Sequence, residues 1–307
     1  MEKNHSLVHV FYFDGLSDIP NLEKIIFIIF LALYIFTVMG NGGMIFLITK
    51  SSNLHTPMYF FVKHLSFIDI FYSTVIIPRT MSDLLSSDKA ISFIACAAQL
   101  YFYCFCAMTE FFLLVIMAYD RYAAICKPLL YYVIMREKMC ITLTTVCYTI
   151  CFLSALIHTN NIFNLIYCKS NRIAHFFCDV PPILKLSCSD TSSSELVIFT
   201  FMGTNVLVCV PVLIISYSNI FYAIIRINST EGRKKAFATC SSHLLSTGIL
   251  FGTYLYMYMR PTSIFLSDQD KVVSVFYTVV IPMLNPIIYS LRNKDVKKAF
   301  LKVSKVN

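Results

Sequence analysis

An all-α membrane protein, a bundle of seven transmembrane helices with a short amphipathic cytoplasmic helix, is the fold class this sequence predicts, on three observations. Of its 307 residues, 57% are hydrophobic and only 14% charged, with a mean hydropathy of +0.69, outside the usage of water-soluble domains. The charges punctuate the chain at intervals close to the roughly 20 helical residues that cross a bilayer. The formal net charge of +8 is concentrated on one set of connections.

Spacing predicts helices over 25–49, 57–85, 91–126, 139–160, 196–226, 235–259 and 271–291. The first is bounded by Lys24 and Lys50 and carries no charge between them. The second carries Lys63, His64 and Asp69, and the third carries Glu110, so two acids inside spans require an explanation. The runs are continuous and rich in Leu, Ile, Phe and Met, whereas barrel strands alternate over about ten residues, which excludes a porin-type fold. Residues 1–24 show no charged start, short apolar core and small-residue cleavage site, so they are read as an extracellular tail, with the first helix as the insertion signal. In 292–307, Val296, Phe300 and Val303 share one side with lysines largely elsewhere, the pattern of a helix lying on the membrane surface.

Orientation follows from the cations. Lys50, Lys63, Arg121, Lys127, Arg136, Lys138, Arg226, Arg233, Lys234, Lys235 and the basic run from Arg292 to Lys305 fall on one side and outnumber those on the other. That side, with the C-terminus, is expected in the cytoplasm and the N-terminus outside. The basic clusters fit topogenic bias and attraction to anionic lipid. A nucleic-acid partner is not expected.

Most of the twelve cysteines, among them Cys106, Cys147, Cys151 and Cys209, fall within spans, where a thiol is a small apolar filler. Cys96, at the outer end of the third helix, and Cys168, Cys178 and Cys188, in the long outer connection, lie in an oxidising location. Four cysteines allow three pairings, and sequence alone does not choose among them. His175, Cys178 and Asp179 also compose a metal-ligand reading, which requires Cys178 to remain a thiol. Paired catalytic groups, such as two histidines at i and i+4 or a Gly-x-Ser-x-Gly turn, are absent, so no enzyme and no cofactor is expected.

The segments MAYDRYAAICKPLLYY (Met117 to Tyr132), LHTPMYFF (Leu54 to Phe61), LSFID (Leu65 to Asp69), KAFATCSSH (Lys235 to His243) and PMLNPIIYSLRN (Pro282 to Asn293) follow one another along the chain, with Gly40-Asn41 before them and HFFCD at His175 to Asp179. Together they resemble the odorant receptors, a branch of the rhodopsin-like G-protein-coupled receptors. The resemblance covers nearly the whole chain. It implies a Cys96–Cys178 bridge from the third helix to the outer loop and a Cys168–Cys188 bridge within that loop. It also implies an activation switch of Asp120, Arg121, Tyr122, Tyr217, Asn285, Pro286 and Tyr289, in which the tyrosines move toward the arginine as a cytoplasmic cavity opens for a heterotrimeric stimulatory G protein.

Glu110 precedes Arg121 by eleven residues, about three turns, and so sits roughly 16 Å deeper on the same face. Asp69 matches a sodium-binding position of rhodopsin-like receptors. Asp69 and Glu110, with Asn41 and Asn285 near, are therefore expected to hold an allosteric sodium ion, the alternative being an acid pair sharing a proton.

The family captures small volatiles between the outer halves of helices three, five and six. Here the matching positions are Tyr103, Cys104, Ala107 and Met108; Met202, Asn205 and Val206; Phe251, Tyr254, Leu255 and Tyr258; and Thr278 of helix seven. None is charged, which favours a neutral, mostly apolar odorant oriented by one or two hydrogen bonds from Tyr258, Tyr254 or Asn205. The chain departs from the family in having Tyr148 where tryptophan is usual, no Trp at all, Phe251 where tyrosine is common, and Lys63-His64 near the start of helix two. A seven-helix transporter or channel is the competing reading. It predicts internal repeats, and none is visible.

The sequons Asn4-His5-Ser6 and Asn228-Ser229-Thr230 lie on opposite sides of this topology in the plasma membrane. A glycosidase-sensitive mobility shift is expected to disappear on Asn4→Gln and to persist on Asn228→Gln. The reverse pattern inverts the topology.

Overall fold

The computed structural model describes residues 8–17, 19–168, 170–226, 229–258, 268–290 and 294–304. Both sequons, at Asn4 and Asn228, fall outside them. Among the described residues, six helices are long and apolar enough to cross a membrane: α1 (Pro20–Lys50), α2 (Pro57–Leu85), α3 (Phe93–Cys126), α5 (Glu137–Phe163), α7 (Ser192–Ile225) and the last span, Gln269–Ser290. A seventh, α8 (Thr230–Tyr258), has spanning length but is less apolar, because Glu231, Arg233, Lys234 and Lys235 occupy its first two turns. The short helix α4 (Tyr131–Ile134) links α3 to α5, and α11 (Lys294–Ser304) follows the bundle.

Several helices start earlier than charge spacing indicates. The first begins at Pro20 rather than 25, with proline in the first turn, where its missing N–H costs nothing. Helix α8 extends back to Thr230, taking Arg233 and Lys234 out of the connecting loop. The last span is broken: α9 (Asp268–Val275), a π-helical turn at Phe276–Val280, and α10 (Ile281–Ser290). In α11, Val296 and Ala299 are buried while Phe300 is 60% exposed, so the apolar stripe is rotated from the expected Val296–Phe300 pairing.

Burial is arranged for lipid. Ile28, Met39, Phe199, Leu207, Ile214 and Phe221 are exposed, whereas Asp69, Glu110, Asn285 and His243 are buried inside the bundle. Gly40 lies where a Cβ would meet the Pro286 ring at 3.1 Å, so α1 and α10 approach closely there. Pro78 and Pro211 lie inside α2 and α7.

The outer face carries a three-stranded sheet that hydropathy did not indicate. Strand β1 (Val10–Phe13) of the tail pairs antiparallel with β2 (Ala90–Ser92) and parallel with β3 (Arg172–Ile173). Gly15, at φ 79°, turns the chain toward α1. Lys89 pairs with Glu23 at 2.7 Å and Arg79 with Asp83 at 2.8 Å beside this sheet.

The outer loop folds down under two bridges, Cys96–Cys178 and Cys168–Cys188, with Cα separations of 5.6 and 5.7 Å. Gln99 Oε1 accepts from the Cys178 amide at 2.9 Å, seating the loop on α3. Asp179 caps the short helix α6 (Val180–Leu184) by accepting from Val180 N at 2.7 Å. With Cys178 bridged and Asp179 capping, the metal-ligand reading of His175, Cys178 and Asp179 fails. Among the described residues no group of three metal-binding side chains exists.

His175 is buried under this cap, its Nε2 3.1 Å from Ser274 Oγ and its Nδ1 without a partner. Burial, and then the charge of Lys271, push its pKa down to about 3 against a smaller upward pull from Asp270. An imidazole held neutral binds fewer protons than in the unfolded chain, so stability is lost as pH falls below the unfolded value of about 6.5. At pH 5 the loss from this group is roughly 2 kcal/mol. The melting temperature of the purified protein is expected to drop more between pH 7 and pH 5 in wild type than in His175→Asn. Equal drops contradict the assignment.

Candidate functional site

Between α3, α7 and α8 the helical spacing brings Ala107, Met108 and Phe111, then Phe201, Asn205 and Val206, then Phe251, Tyr254 and Leu255 around one cavity. It holds about 50 Å³, against the roughly 300–1,000 Å³ typical of small-molecule pockets, so in this conformation it is closed down. The Phe111 ring does the closing, with centroids 4.5 Å from Phe251 and 4.8 Å from Tyr254. The polar side chains in the wall are Asn205 and Tyr254. The Tyr254 hydroxyl is 3.0 Å from that of Tyr72, so it is already engaged. Asn205 donates one bond, to Phe201 O at 2.8 Å, leaving its Oδ1 and second amide hydrogen for something else.

Seven of the residues expected to line a pocket are therefore together. Tyr103 is instead one turn nearer the outer loop, packed against Phe177 at 5.1 Å and Tyr72 at 5.9 Å. Cys104 packs on the main core outside this wall. Thr278 is buried in the π-helical turn, donating to Ser274 O at 2.7 Å. The side chains of Met202 and Tyr258 lie outside those described. Phe111 and Phe201 are in the wall and were not anticipated, although each is one helical turn from an anticipated residue, Met108 and Asn205. His158 packs edge-on against Phe201 at 4.3 Å, behind the cavity.

Deeper in the bundle, Asn285 gathers the two acids. Its Nδ2 lies 3.2 and 3.1 Å from the Asp69 oxygens and 3.2 Å from Glu110 Oε1, while Ser246 Oγ donates to its Oδ1 at 2.6 Å. Asn41 donates to Thr37 O and Pro282 O, both at 3.0 Å. Glu110 Oε2, Asn41 Oδ1 and Ser73 Oγ are buried without a partner. This is an oxygen-rich centre with more acceptors than donors, the donor set a hard cation such as sodium accepts.

At the other end, Tyr131 donates to Asp120 Oδ1 at 2.9 Å, and Asp120 Oδ2 and Arg121 Nε are unpartnered. Tyr217 hydrogen-bonds His243 Nδ1, and Thr247 Oγ1 lies 3.3 Å from the same nitrogen. Tyr289 is buried with its ring 6.4 Å from that of His243. Tyr217 and Tyr289 thus both lie beside His243.

A family model described as olfactory receptor matches residues 30–305. The chain is 53% identical to mouse olfactory receptor 5AP2 over 301 residues, 98% of this chain and 95% of that one. It is 50% identical to mouse olfactory receptor 5AR1, over 98% of this chain and 97% of the relative, and 49% to human olfactory receptor 5L2 over the same shares. The chain belongs to the olfactory receptor family. It is a multi-pass membrane protein of the rhodopsin-like class, built as a seven-helix bundle.

In this olfactory receptor two of the sequence departures meet. Tyr148 OH lies 3.0 Å from His64 Nδ1, and Phe60 and Phe105 flank the pair with centroids 4.7 Å from His64 and 6.2 Å from Tyr148. A tyrosine and a histidine thereby join α2 to α5.

The receptor's acid centre depends on one amide. Asn285→Ala removes the donor to both carboxylates and leaves Ser246 without its acceptor, at an expected cost of roughly 3 kcal/mol. Thermal unfolding in detergent measures it. A stability within experimental error of wild type contradicts the role given to Asn285.

Proposed function

We propose that this receptor captures a small, mostly apolar volatile between α3, α7 and α8 and in response activates a stimulatory, olfactory-type heterotrimeric G protein, raising cAMP. The observation that carries the reading is the cavity itself: narrow, apolar in all but two side chains, and holding spare hydrogen-bonding capacity at Asn205. An alcohol, aldehyde or ketone matches that chemistry. Burying about 250 Å² of odorant contributes on the order of 6 kcal/mol before association costs, so binding is expected in the micromolar range. A ligand must displace the Phe111 ring, and its neighbours Phe251 and Tyr254 belong to α8, so entry is coupled to that helix.

The N-terminus is extracellular and the C-terminus cytoplasmic in this reading, with Arg121 at the G-protein end. The same helix α8 carries His243, bonded to Tyr217, and Ser246, bonded to Asn285. Displacement of α8 frees Tyr217 and Tyr289 to turn toward Arg121. Asp69, Glu110, Asn285 and Asn41 would hold a hydrated sodium ion in the inactive state, the ion supplying the positive charge that two adjacent carboxylates need. On this account Glu110→Gln changes the sodium sensitivity of basal signalling, whereas a shared proton leaves basal signalling insensitive to sodium.

A volatile-ligand panel with a cAMP reporter, in cells supplying the olfactory G protein, tests the function. Signal is expected for a subset of neutral ligands and is abolished by Arg121→Ala at equal surface expression. Asn205→Val is expected to raise the half-maximal concentration about tenfold for ligands bearing a hydroxyl, the worth of one hydrogen bond, and to spare those without polar groups. A ligand-gated current with no G protein overturns the reading.

A further inference from the structure

Behind one wall of the cavity lies a polar side chain with no partner among the described residues. His158 stands near the outer-loop end of α5, buried to 7% exposure, and makes neither a hydrogen bond nor an ion pair there. An imidazole taken out of water in this way forfeits the hydrogen bonds it made in solution, and such a buried group calls for an occupant that supplies them. Its ring meets that of Phe201 on α7, with centroids 4.3 Å apart and planes at 70°. Phe201 also lines the cavity, so a single phenyl ring stands between the cavity and the imidazole. Close by, Ser194 Oγ donates to Asn161 Oδ1 at 2.6 Å, which ties α7 to α5. Ser194 and Phe201 are seven residues apart, two turns along one face of α7. With that tie in place, the Phe201 side chain can turn while the two helices stay together. At about 50 Å³ the cavity holds no odorant until rings move. Displacing Phe111 opens it toward α8, and displacing Phe201 opens it toward His158.

We propose that His158 is a second hydrogen-bonding station of the odorant site, reached when the Phe201 ring turns aside, and that the extended site selects odorants bearing two oxygen functions. Asn205 holds one oxygen and His158 the other. Asn205 follows Phe201 by one turn on the same face of α7, roughly 6 Å along the helix, which sets the separation of the two stations. A diol or hydroxy ketone with about four carbon–carbon bonds between its oxygens spans that rise. An uncharged imidazole offers one N–H and one bare nitrogen, so it takes a hydroxyl or a carbonyl equally. An odorant with one polar group leaves His158 as it stands and gains nothing from it. The apolar walls on either side of Phe201 match the carbon chain between the two oxygens.

This extension rests on the odorant site proposed above, and the two fail in different ways. The purified full-length receptor is titrated with octan-1-ol and with octane-1,5-diol, and the apparent affinities are read from ligand-induced thermal stabilisation. The ratio of the two affinities cancels their unequal partition into detergent. In His158→Leu that ratio is expected to shift about tenfold against the diol, the worth of one hydrogen bond, with octanol binding as in wild type. His158→Gln, whose amide also donates and accepts, is expected to keep most of the diol's advantage. Asn205→Val is expected to weaken both ligands. In unmutated receptor, carbethoxylation of His158 by diethyl pyrocarbonate, read by mass spectrometry, is expected to be slowed by the diol and not by octanol, and this measurement stands even if His158→Leu fails to fold. The proposal is overturned if His158→Leu leaves the ratio unchanged, if it weakens both ligands alike, or if the diol gives no protection of His158. Binding of neither ligand removes the odorant site and the extension together, whereas octanol binding that depends on Asn205, with no effect of His158, removes the extension alone.

Discussion

Two carboxylates in the middle of a membrane, sharing the amide of one asparagine, set the terms for the rest of this receptor. Lipid offers no water to satisfy Asp69 and Glu110, so α2, α3 and α10 must converge on them. Asn285 bonds both acids and Ser246, and through Ser246 the same cluster holds α8. Helix α8 is therefore fastened to the buried acid centre. Anything that shifts α8 changes how those charges are met.

From that centre the bundle reads outward in both directions. Toward the outer face, Tyr254 of α8 bonds Tyr72 of α2 and forms one wall of the closed cavity, with Phe111 filling the space. Toward the other end, His243 of the same helix is hydrogen-bonded to Tyr217. One helix thus touches the cavity, the acid centre and the cluster around His243. At the outer-loop end the two disulfides and the tail's strand β1 form a cap over the bundle.

Much of the architecture was legible in the sequence because lipid imposes a coarse code: charge-free runs of spanning length, basic connections on one side. The code is blind where helices do not stop at charges. Lys24 sits inside α1, and Arg233 and Lys234 sit inside α8, because a helix continues past the membrane edge as long as its backbone bonds are made. It is blind also to β1, four residues whose partners are 80 and 160 positions away, and to the π-helical turn of the last span. The site was legible through residue type and helical spacing, which brought seven wall residues together. It did not resolve depth along a helix: Tyr103 packs against Phe177 of the loop and Thr278 lies in the π-helical turn, both outside the cavity wall. Phe111 was within reach of the same periodicity, while the pairing of Tyr148 with His64 joins two positions that no local pattern connects.

The coupling of the cavity to the cytoplasmic mouth through α8 is the central claim, and distance measurement tests it most directly. Spin labels carried on unnatural amino acids at Lys138 of α5 and Arg233 of α8, both exposed, report the separation of those helix ends in the receptor in lipid nanodiscs. With a ligand that raises cAMP the account predicts a population at longer distance, absent without ligand and absent in a variant that no longer binds it. An unchanged distance distribution at saturating, activating ligand contradicts it.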